Sequence, residues 1–472
     1  MKKALTLIAL AYLGWTGISA AQVNFSTYVA LGDSLTAGYA SGGLAKFYQD
    51  HSYPAILARQ FGIATFQQPI VSDPGIQPVL KLQRLLDPQT RQLVPVLAPS
   101  GTTPGQPTNA TFSGIYNNLG IPGAKTGDLL TRTGNINKLL SGNVDPNTVM
   151  YDIVLRFPKI PGTNTDGTAL EQAIAARPTF LTVWIGNNDI LGAALSAVAL
   201  EGVTMTPVAT FQQQYRSLLS TLRTRLSTTT IVVANIPKVT AIPFVTTVKP
   251  YVFNAQGQKV YLQADTGPLT DADYVTLQAS SLISQGYGIP GTGRPPLPDG
   301  GIVGGQFVQG VVLRAAEVAT INNRIAQLNS IIAQEAAAVG APVLDVNALF
   351  DGIVRDGYML GGVKLTPAFL TGGIFSYDGV HPQRLGYAIV ANEFVKLINA
   401  KFGARVPQVN LQRYLEGTET TTTVMASEVQ FAPTAFESLL QVFAPQPSEP
   451  LRQVVRRPSR QGLPTEGRPQ RP

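Results

Sequence analysis

The stretch Tyr28–Gly38, YVALGDSLTAG, brings one hydroxyl side chain to the end of an apolar run. The β-favouring residues predict a strand over about 27–32, Gly32 permits a sharp exit, and the next residues can begin a helix. Ser34 would then lie at the edge of an α/β sheet where ligands bind and where first-turn helix amides donate to anions. Ser34 is therefore a candidate nucleophile, although a helix cap made by Asp33 and Ser34 explains this stretch alone equally well.

The chain downstream alternates apolar strands with amphipathic helices. Residues 179–185 form a nearly continuous apolar strand, and the helix predicted after Thr206 carries its apolar residues on one face. The alternation favours a mainly parallel sheet with helices on both faces. The predicted strands are 27–32, 64–71, 179–185, 230–235 and 342–346.

The formal net charge of +7 is concentrated at the two ends of the chain. Two lysines lie in the leader, and residues 447–472 hold six arginines against two glutamates, which leaves about +1 for the remainder. A nearly neutral body gives no support to nucleic-acid binding. With 44% apolar and 13% charged residues, a chain of 472 residues can bury a large core.

Residues 1–21 are predicted to be a secretory signal peptide. Lys2 and Lys3 precede the apolar run 4–13, and small residues follow at 17–21. The apolar run is short for an uncleaved membrane anchor, which is the alternative. The chain contains no cysteine, which excludes disulfides, thiolate catalysis and cysteine-based metal sites. We therefore expect an exported bacterial protein that is periplasmic, associated with the cell envelope or secreted.

Two segments rich in Pro and Gly interrupt the alternation within a main domain predicted at 22–404. Residues 72–115 are predicted to be a long loop insertion. Residues 241–310 are predicted to be a second insertion, whose aromatic residues fill its own small core or line an apolar pocket.

Beyond the main domain we predict a C-terminal extension at 405–445 and a disordered Pro/Arg-rich tail at 446–472. The spacing of Phe436, Leu439, Leu440 and Phe443 predicts a short amphipathic helix in the extension, docked on the body in preference to a membrane. The charge of the tail suggests weak contact with anionic lipid or a cell-wall polymer.

Two further stretches present hydrogen-bond donors in irregular backbone. Tyr116–Thr126 contains two glycines around a proline, an arrangement that lets successive amides point outward but that also occurs in ordinary turns. The strand at 179–185 runs into Gly186–Asp189, GNND, where an asparagine amide can donate to a developing oxyanion. Asp189 could hold this loop through backbone amides, and a structural Asx-rich turn is the alternative for the whole stretch.

Histidine is scarce, and His51 and His381 are the two candidates for a general base. Asp378 precedes His381 by three residues, and Gly379 between them lets the loop curl, so Asp378 could hold one ring nitrogen while the other faces Ser34. His51 lies in a polar run, where a solvated loop or a helix-cap role explains it better.

Taken together and in order, these stretches resemble the four sequence blocks of the SGNH, or GDSL-type, hydrolase family. The match covers about 25–400, with large insertions between the blocks. The resemblance implies a flavodoxin-like three-layer α/β/α fold with a mainly parallel five-stranded sheet. By position, Ser34 resembles the family's nucleophile, and Asp378 and His381 resemble the other two members of its triad.

The same resemblance implies an oxyanion hole made by the Ser34 amide, the Gly123 amide and the Asn188 side chain. Gly120 lies in the same block as Gly123 and is an alternative to it. Asn187 is similarly an alternative to Asn188.

The activity implied is hydrolysis of a small-molecule or lipid carboxylic ester through an acyl-enzyme on Ser34, with no metal or organic cofactor. The alternatives are a noncatalytic surface or carbohydrate-binding protein on the same fold, and a phospholipase or phosphodiesterase-type esterase. A phosphodiesterase would more naturally use metal ligands, which two histidines hardly supply. The apolar composition and the insertions favour lipid-like acyl esters over acetylated sugars, and the sequence carries no signal for an oligomeric state.

Overall fold

Five parallel strands form the central sheet of the computed structural model, which describes residues 23–87, 90–415 and 429–445. The strands are β1 (Tyr28–Gly32), β2 (Asn118–Gly120), β3 (Phe180–Trp184), β4 (Thr230–Ala234) and β5 (Val343–Leu344). Their spatial order is β2-β1-β3-β4-β5, with every neighbouring pair parallel. This is the flavodoxin-like order, and it confirms the predicted fold class.

In the described ranges, each connection between consecutive strands of the sheet contains two to four α-helices. The α-helices of these ranges are α1 (Ser34–Ala37), α2 (Lys46–Gln49), α3 (Tyr53–Gln60), α4 (Asp128–Thr131), α5 (Ile136–Leu140), α6 (Val149–Val154), α7 (Ala169–Ala175), α8 (Asn188–Ser196), α9 (Val208–Arg225), α10 (Pro243–Thr246), α11 (Ala279–Ser284), α12 (Ala315–Ala338), α13 (Val346–Asp356), α14 (Arg384–Phe402), α15 (Gln412–Leu415) and α16 (Glu437–Phe443). None of the described helices is both long enough and apolar enough to cross a membrane.

Helices cover the sheet so completely that every residue of β1 and β3 is buried. Helix α3 packs on α14, and α9 packs on α7 and α12. Trp184 of β3 meets the rings of Tyr53 in α3 and Phe394 in α14, with centroids 5.5 and 6.4 Å apart. In α9 the residues of the predicted apolar stripe are fully buried, namely Phe211, Tyr215, Leu218, Leu219 and Leu222.

The prediction of a strand at 64–71 is wrong. These residues form no strand apart from an isolated bridge between Val71 and Pro107. The place beside β1 is taken by β2, whose three residues pair in register from Ala30 opposite Asn118. A strand of three residues has no measurable periodicity, so tertiary pairing alone identifies it.

The first insertion is more ordered than the loop predicted at 72–115. Leu80–Leu86 and Leu93–Pro99 form an antiparallel hairpin, and Gln430–Phe431 adds to the second strand in parallel. Prolines at 95 and 99 obscured that strand in the sequence, because proline is unusual within a sheet.

The second insertion is built from short hairpins around a small core of its own. That core is mainly aliphatic, with Leu262, Leu269, Leu297 and Val312 buried and the ring of Tyr287 packed against it. Its short strands are Tyr251–Phe253, Lys259–Tyr261, Gln263–Ala264, Gly267–Pro268, Tyr274–Val275, Gly301–Val303, Gln306–Val308 and Val312–Leu313. A 3-10 helix (Val239–Ala241) precedes this insertion, and a further hairpin (Tyr358–Leu360 and Val363–Leu365) follows α13.

The C-terminal extension returns to the body of the protein. Helix α16 lies where the sequence predicts it, and Leu439 and Phe443 on its inner face are buried. The predicted signal peptide at 1–21 and the tail at 446–472 lie outside the described residues. The division into these segments therefore stays a prediction.

Candidate active site

Ser34 is the first residue of α1, immediately beyond the carboxyl end of β1. The Asp33 carboxylate caps this helix by accepting a hydrogen bond from the Leu35 amide at 3.0 Å. A Cβ atom on Gly32 would lie 2.2 Å from the Thr36 hydroxyl and 2.4 Å from the Trp184 carbonyl oxygen, so only glycine fits there. Asp33 therefore caps the helix, and the Ser34 side chain is left available to act as a nucleophile.

Three side chains from distant parts of the chain form one hydrogen-bonded series. His381 Nε2 lies 3.0 Å from Ser34 Oγ, and His381 Nδ1 lies 2.9 Å from Asp378 Oδ2. All three side chains are buried. With the imidazole proton on Nδ1, this nitrogen donates to Asp378, and Nε2 is free to accept the Ser34 proton.

Asp378 is held as a carboxylate by an unusually complete set of donors. Its Oδ1 accepts hydrogen bonds from the Ser376 hydroxyl and from the Val380 and His381 amides, at 2.8–3.1 Å. Its Oδ2 accepts from the Gly42 amide at 3.0 Å, besides the imidazole. Burial by itself raises the pKa of Asp378, but the charge of and hydrogen bonds from His381 outweigh it and hold the pKa below its usual value.

Of the two candidate glycines, Gly123 has the free amide. Within residues 23–87, 90–415 and 429–445, the amides of Ser34 and Gly123 donate to no acceptor. The Gly120 amide, by contrast, donates to Asn118 Oδ1 at 3.0 Å. The geometry therefore favours Gly123 over Gly120 as the donor from this turn.

The two asparagines after β3 hold different neighbours. Asn188 Nδ2 donates to the Ala124 carbonyl oxygen at 2.9 Å, which connects it to the turn containing Gly123. Asn187 Nδ2 donates to Asp33 Oδ2 at 2.8 Å. Each amide nitrogen keeps a second hydrogen, so the oxyanion role of Asn188 stays a prediction and Asn187 stays its alternative.

Asp189 accepts hydrogen bonds from other loops around the site, of which one comes from a backbone amide. Its Oδ2 accepts from the amide and the hydroxyl of Thr126 at 3.0 and 2.8 Å, and its Oδ1 accepts from the Thr206 hydroxyl at 2.7 Å. Burial raises the pKa of Asp189, and these hydrogen bonds reduce that rise. One carboxylate thus holds the turn after β2 and the approach to α9 against α8.

Asp33 is a second buried aspartate near Ser34. The sequence predicted only a helix-capping role for it. Burial raises its pKa to about 7, against the lowering effect of the hydrogen bonds from Asn187 and Leu35. It has fewer donors than Asp378, and none of them is an imidazole that can carry charge.

An apolar cavity of about 90 Å³ opens beside Ser34 and His381. It extends between α13 and α14, and Asn187 is the remaining polar side chain at its wall. The two helices contribute apolar side chains to its wall, namely Val346, Leu349, Phe350 and Ile353 from α13 and Ile389 and Val390 from α14. We did not predict this cavity, although the spacing 346, 349, 350 and 353 is that of one helical face directly after β5.

His51 takes no part in this site. Its Nδ1 lies 2.7 Å from the Phe47 carbonyl oxygen, and its ring contacts those of Phe47 and Tyr414. Burial lowers its pKa. Among the residues that the structure describes, no group of three or more His, Asp or Glu side chains could hold a metal ion.

The carboxyl edge of a flavodoxin-like sheet that carries a Ser-His-Asp series defines an α/β protein of the hydrolase class. The family described as GDSL-like lipase/acylhydrolase matches residues 28–394. The chain therefore belongs to the GDSL-like lipase/acylhydrolase family, which acts on ester or lipid substrates. A comparison with curated proteins found no match.

Solved structures similar to this chain include GDSL lipases and esterases at low identity. A putative GDSL-like lipase from Parabacteroides merdae is 13% identical, with 80% of this chain and 100% of that chain covered and a TM-score of 0.32. An extracellular lipase from Streptomyces rimosus is 16% identical, with 79% and 98% covered and a TM-score of 0.31. A catalytic mutant of an acetylxylan esterase from Geobacillus stearothermophilus is 13% identical, with 80% and 96% covered and a TM-score of 0.34.

Proposed function

We propose that this protein is an exported serine esterase that hydrolyses carboxylic esters with an apolar acyl chain through an acyl-enzyme on Ser34. The observation that supports this most directly is the continuous series of hydrogen bonds from Asp378 through His381 to Ser34. A noncatalytic protein on the same fold would have no use for a buried imidazole held in this orientation by a fully hydrogen-bonded carboxylate.

In the first half of the reaction, Ser34 Oγ attacks the ester carbonyl carbon while its proton moves to His381 Nε2. The tetrahedral intermediate collapses, the bond from carbon to the alkoxy oxygen breaks, and Nε2 returns the proton to the leaving alcohol. In the second half, water loses a proton to Nε2 and attacks the acyl carbon. The second tetrahedral intermediate collapses as its bond to Ser34 Oγ breaks and Nε2 returns the proton to Oγ, which releases the acid and regenerates Ser34. Asp378 remains ionised throughout and stabilises the imidazolium that forms twice.

The negative oxygen of both intermediates needs donors that are free before the substrate binds. The Ser34 and Gly123 amides meet this condition among the described residues, and the second hydrogen of Asn188 Nδ2 can supply a third hydrogen bond. The bond from Asn188 to the Ala124 carbonyl would keep this side chain aligned with the Gly123 turn.

The cavity beside Ser34 supports a lipid-like acyl group over acetate. An acetyl group would leave most of the apolar space between α13 and α14 unfilled. Each additional methylene buried there contributes about 0.8 kcal/mol, or roughly fourfold in kcat/KM for each carbon until the cavity is full. Export is proposed on the sequence of residues 1–21 alone.

The test is chemical labelling combined with substitution of the nucleophile. We expect a fluorophosphonate to add one group per chain, located at Ser34 by mass spectrometry of the peptides. Ser34→Ala should abolish the labelling and reduce hydrolysis of a short-chain p-nitrophenyl ester by on the order of 10⁴-fold or more.

Ser217→Ala, on the exposed side of α9, is the control and should keep the full rate. Hydrolysis by Ser34→Ala at the parent rate, or labelling of another serine, would show that the mechanism is wrong.

A further inference from the structure

The last described residues cross the face of the protein that carries Ser34. We call residues 429–445 the C-terminal strap. At its beginning, Gln430–Phe431 pairs with the hairpin strand Leu93–Pro99 of the first insertion. At its end, the Pro445 carbonyl accepts a hydrogen bond from Gln309 Nε2 of the second insertion at 3.0 Å. The strap thus spans from one insertion to the other.

Between these anchors the strap covers the catalytic residues. The ring of Phe443 lies with its centroid 5.0 Å from that of His381 and 5.2 Å from that of Tyr39. The Val442 carbonyl oxygen is 2.8 Å from the position that a Cβ on Gly123 would occupy. Ser34 is only 2% exposed. The strap therefore occupies the side of the site where an ester carbonyl would have to approach the Gly123 amide.

The covered surface and the underside of the strap are both apolar. Ala435, Phe436, Leu439 and Phe443 are buried in the contact, and the Phe436 ring packs edge-on against Phe244, 5.6 Å between centroids. The helical part, α16, is seven residues long. A helix of this length has little stability without its packing partner, so an alternative apolar surface can compete for it.

The residues around the strap indicate which apolar surface could compete for it. The hairpin with which it pairs exposes three leucines, Leu85, Leu86 and Leu93, at 43–62%. Arg84 and Arg91 on the same hairpin are also exposed. Beyond Pro445 the sequence continues with arginines at 452, 456, 457 and 460. Exposed leucines among arginines complement a lipid surface with anionic headgroups.

We propose that the C-terminal strap is a lid over a lipid-binding face, which closes Ser34 in water and is displaced at an anionic lipid surface. This inference rests on the proposed function, because it assigns the substrate of that same site to a lipid interface. Displacement moves Phe443 from His381 and Val442 from Gly123, so that the histidine and the Gly123 amide become accessible together.

A reversible cross-link tests the lid. A Cβ on Gly192 of α8 would lie 3.3 Å from Cδ of Pro445, so the variant Gly192→Cys/Pro445→Cys places the two cysteines on segments that are in contact. The chain has no native cysteine, so no other disulfide can form. With the disulfide confirmed by mass, we expect hydrolysis of p-nitrophenyl butyrate to fall about tenfold or more relative to the same sample after reduction.

The single variant Gly192→Cys is the control and should be insensitive to reduction. Equal rates in the oxidised and reduced double variant would overturn the lid. Failure of a fluorophosphonate to label Ser34 even after reduction would instead contradict the proposed function. Phe443→Ala gives a second test without a disulfide: the rate on the butyrate ester should rise, and a folded variant with an unchanged or lower rate would also overturn the lid.

Vesicles identify the surface that opens the lid. Phosphatidylglycerol vesicles should raise the wild-type rate on the butyrate ester, phosphatidylcholine vesicles should not, and the oxidised double variant should respond to neither. Leu93→Asp should reduce the activation while leaving the rate without vesicles unchanged. Equal activation by both lipids, or no activation by phosphatidylglycerol, would show that an anionic lipid surface is not the partner.

Discussion

Two buried aspartates beside Ser34 illustrate how local donors determine the charge of a site. Asp33 and Asp378 are both fully buried, yet the pKa of Asp33 is raised to about 7 and that of Asp378 is lowered. The charge of His381 lowers the pKa of both groups, but His381 also donates hydrogen bonds to Asp378 and donates none to Asp33. The site thus keeps one carboxylate ionised for the imidazole and a second that gains a proton near neutral pH.

The pKa of Asp33 predicts a pH dependence of stability. From about pH 4 to about pH 7 the folded protein retains a proton on Asp33 that the unfolded chain loses. The free energy of unfolding therefore falls as the pH rises through this range. Above pH 7 the contribution of Asp33 no longer changes. Three pKa units correspond to on the order of 4 kcal/mol. Asp33→Asn removes this pH-dependent contribution, because an amide does not titrate. The oxygen of the asparagine side chain can still accept the hydrogen bond from the Leu35 amide.

The measurement is the difference in free energy of unfolding between wild type and Asp33→Asn, from urea denaturation at pH 5 and pH 8. We expect the variant to gain stability relative to wild type at pH 8. Asp166→Asn, at an exposed position, is the control. A difference that does not change with pH would show that Asp33 is ionised at both pH values.

The predicted oxyanion donor is tested by comparing two neighbouring amides. Asn188→Ala should lower kcat by roughly 10²–10³ with little change in KM, since the donor acts mainly in the transition state. Asn187→Ala should have a smaller effect on kcat, because its amide holds Asp33. Steady-state kinetics on a p-nitrophenyl ester separate the two, and a larger loss in Asn187→Ala would transfer the role to Asn187.

At the scale of elements, α13 connects the end of the sheet to the substrate. It begins directly after β5, where Asp345 caps it by accepting from the Ala348 amide at 2.9 Å. One face of the helix, with Phe350 and Ile353, lines the cavity beside Ser34. The helix that follows the last strand of the sheet therefore lines the cavity that we propose for the acyl chain.

Filling this cavity should shorten the preferred acyl chain. Ile353→Phe places a larger side chain at the cavity wall, so kcat/KM for an octanoyl ester should fall about tenfold or more while that for an acetyl ester stays within about twofold. Val354→Phe on the exposed side of the same helix is the matched control. An unchanged ratio of octanoyl to acetyl rates in Ile353→Phe would mean that the chain binds elsewhere.

At the scale of the whole molecule, buried polar contacts hold segments that are distant in sequence around one site. Asp189 connects α8 to Thr126 and Thr206, the Gly42 amide donates to Asp378, and the strap joins the two insertions over Ser34. The site is therefore a property of the assembled loops at the carboxyl edge of the sheet.

Removing the Asp189 carboxylate should destabilise this assembly. Asp189→Ala leaves the Thr126 amide and two hydroxyls buried without an acceptor, which costs about 2–4 kcal/mol. Thermal and urea denaturation measure the loss, and Asp166→Ala, which removes an exposed ion pair, should cost less than about 1 kcal/mol. A loss in Asp189→Ala no larger than in this control would show that the contact contributes little to folding.

Patterns in the amino-acid sequence were enough to predict the long apolar strands and to identify candidate residues for the site. Residues 27–32 and 179–185 have continuous β-favouring composition, and a chain with two histidines and no cysteine offers few groups to activate Ser34. Asp378 and His381 are three residues apart, so their contact is local and could be predicted from spacing. The GDSL-like family match supports the same fold.

Only the tertiary structure decided which short or distant segments complete the site. The strand at 118–120, the free amide of Gly123 and the cavity along α13 depend on packing between elements that no local pattern records. Helix α16 could be predicted from its periodicity, but its position over His381 could not, because Phe443 and His381 are far apart in sequence. Periodicity reports which face of an element is buried, whereas the surface against which it is buried follows from the free energy of the whole packed chain.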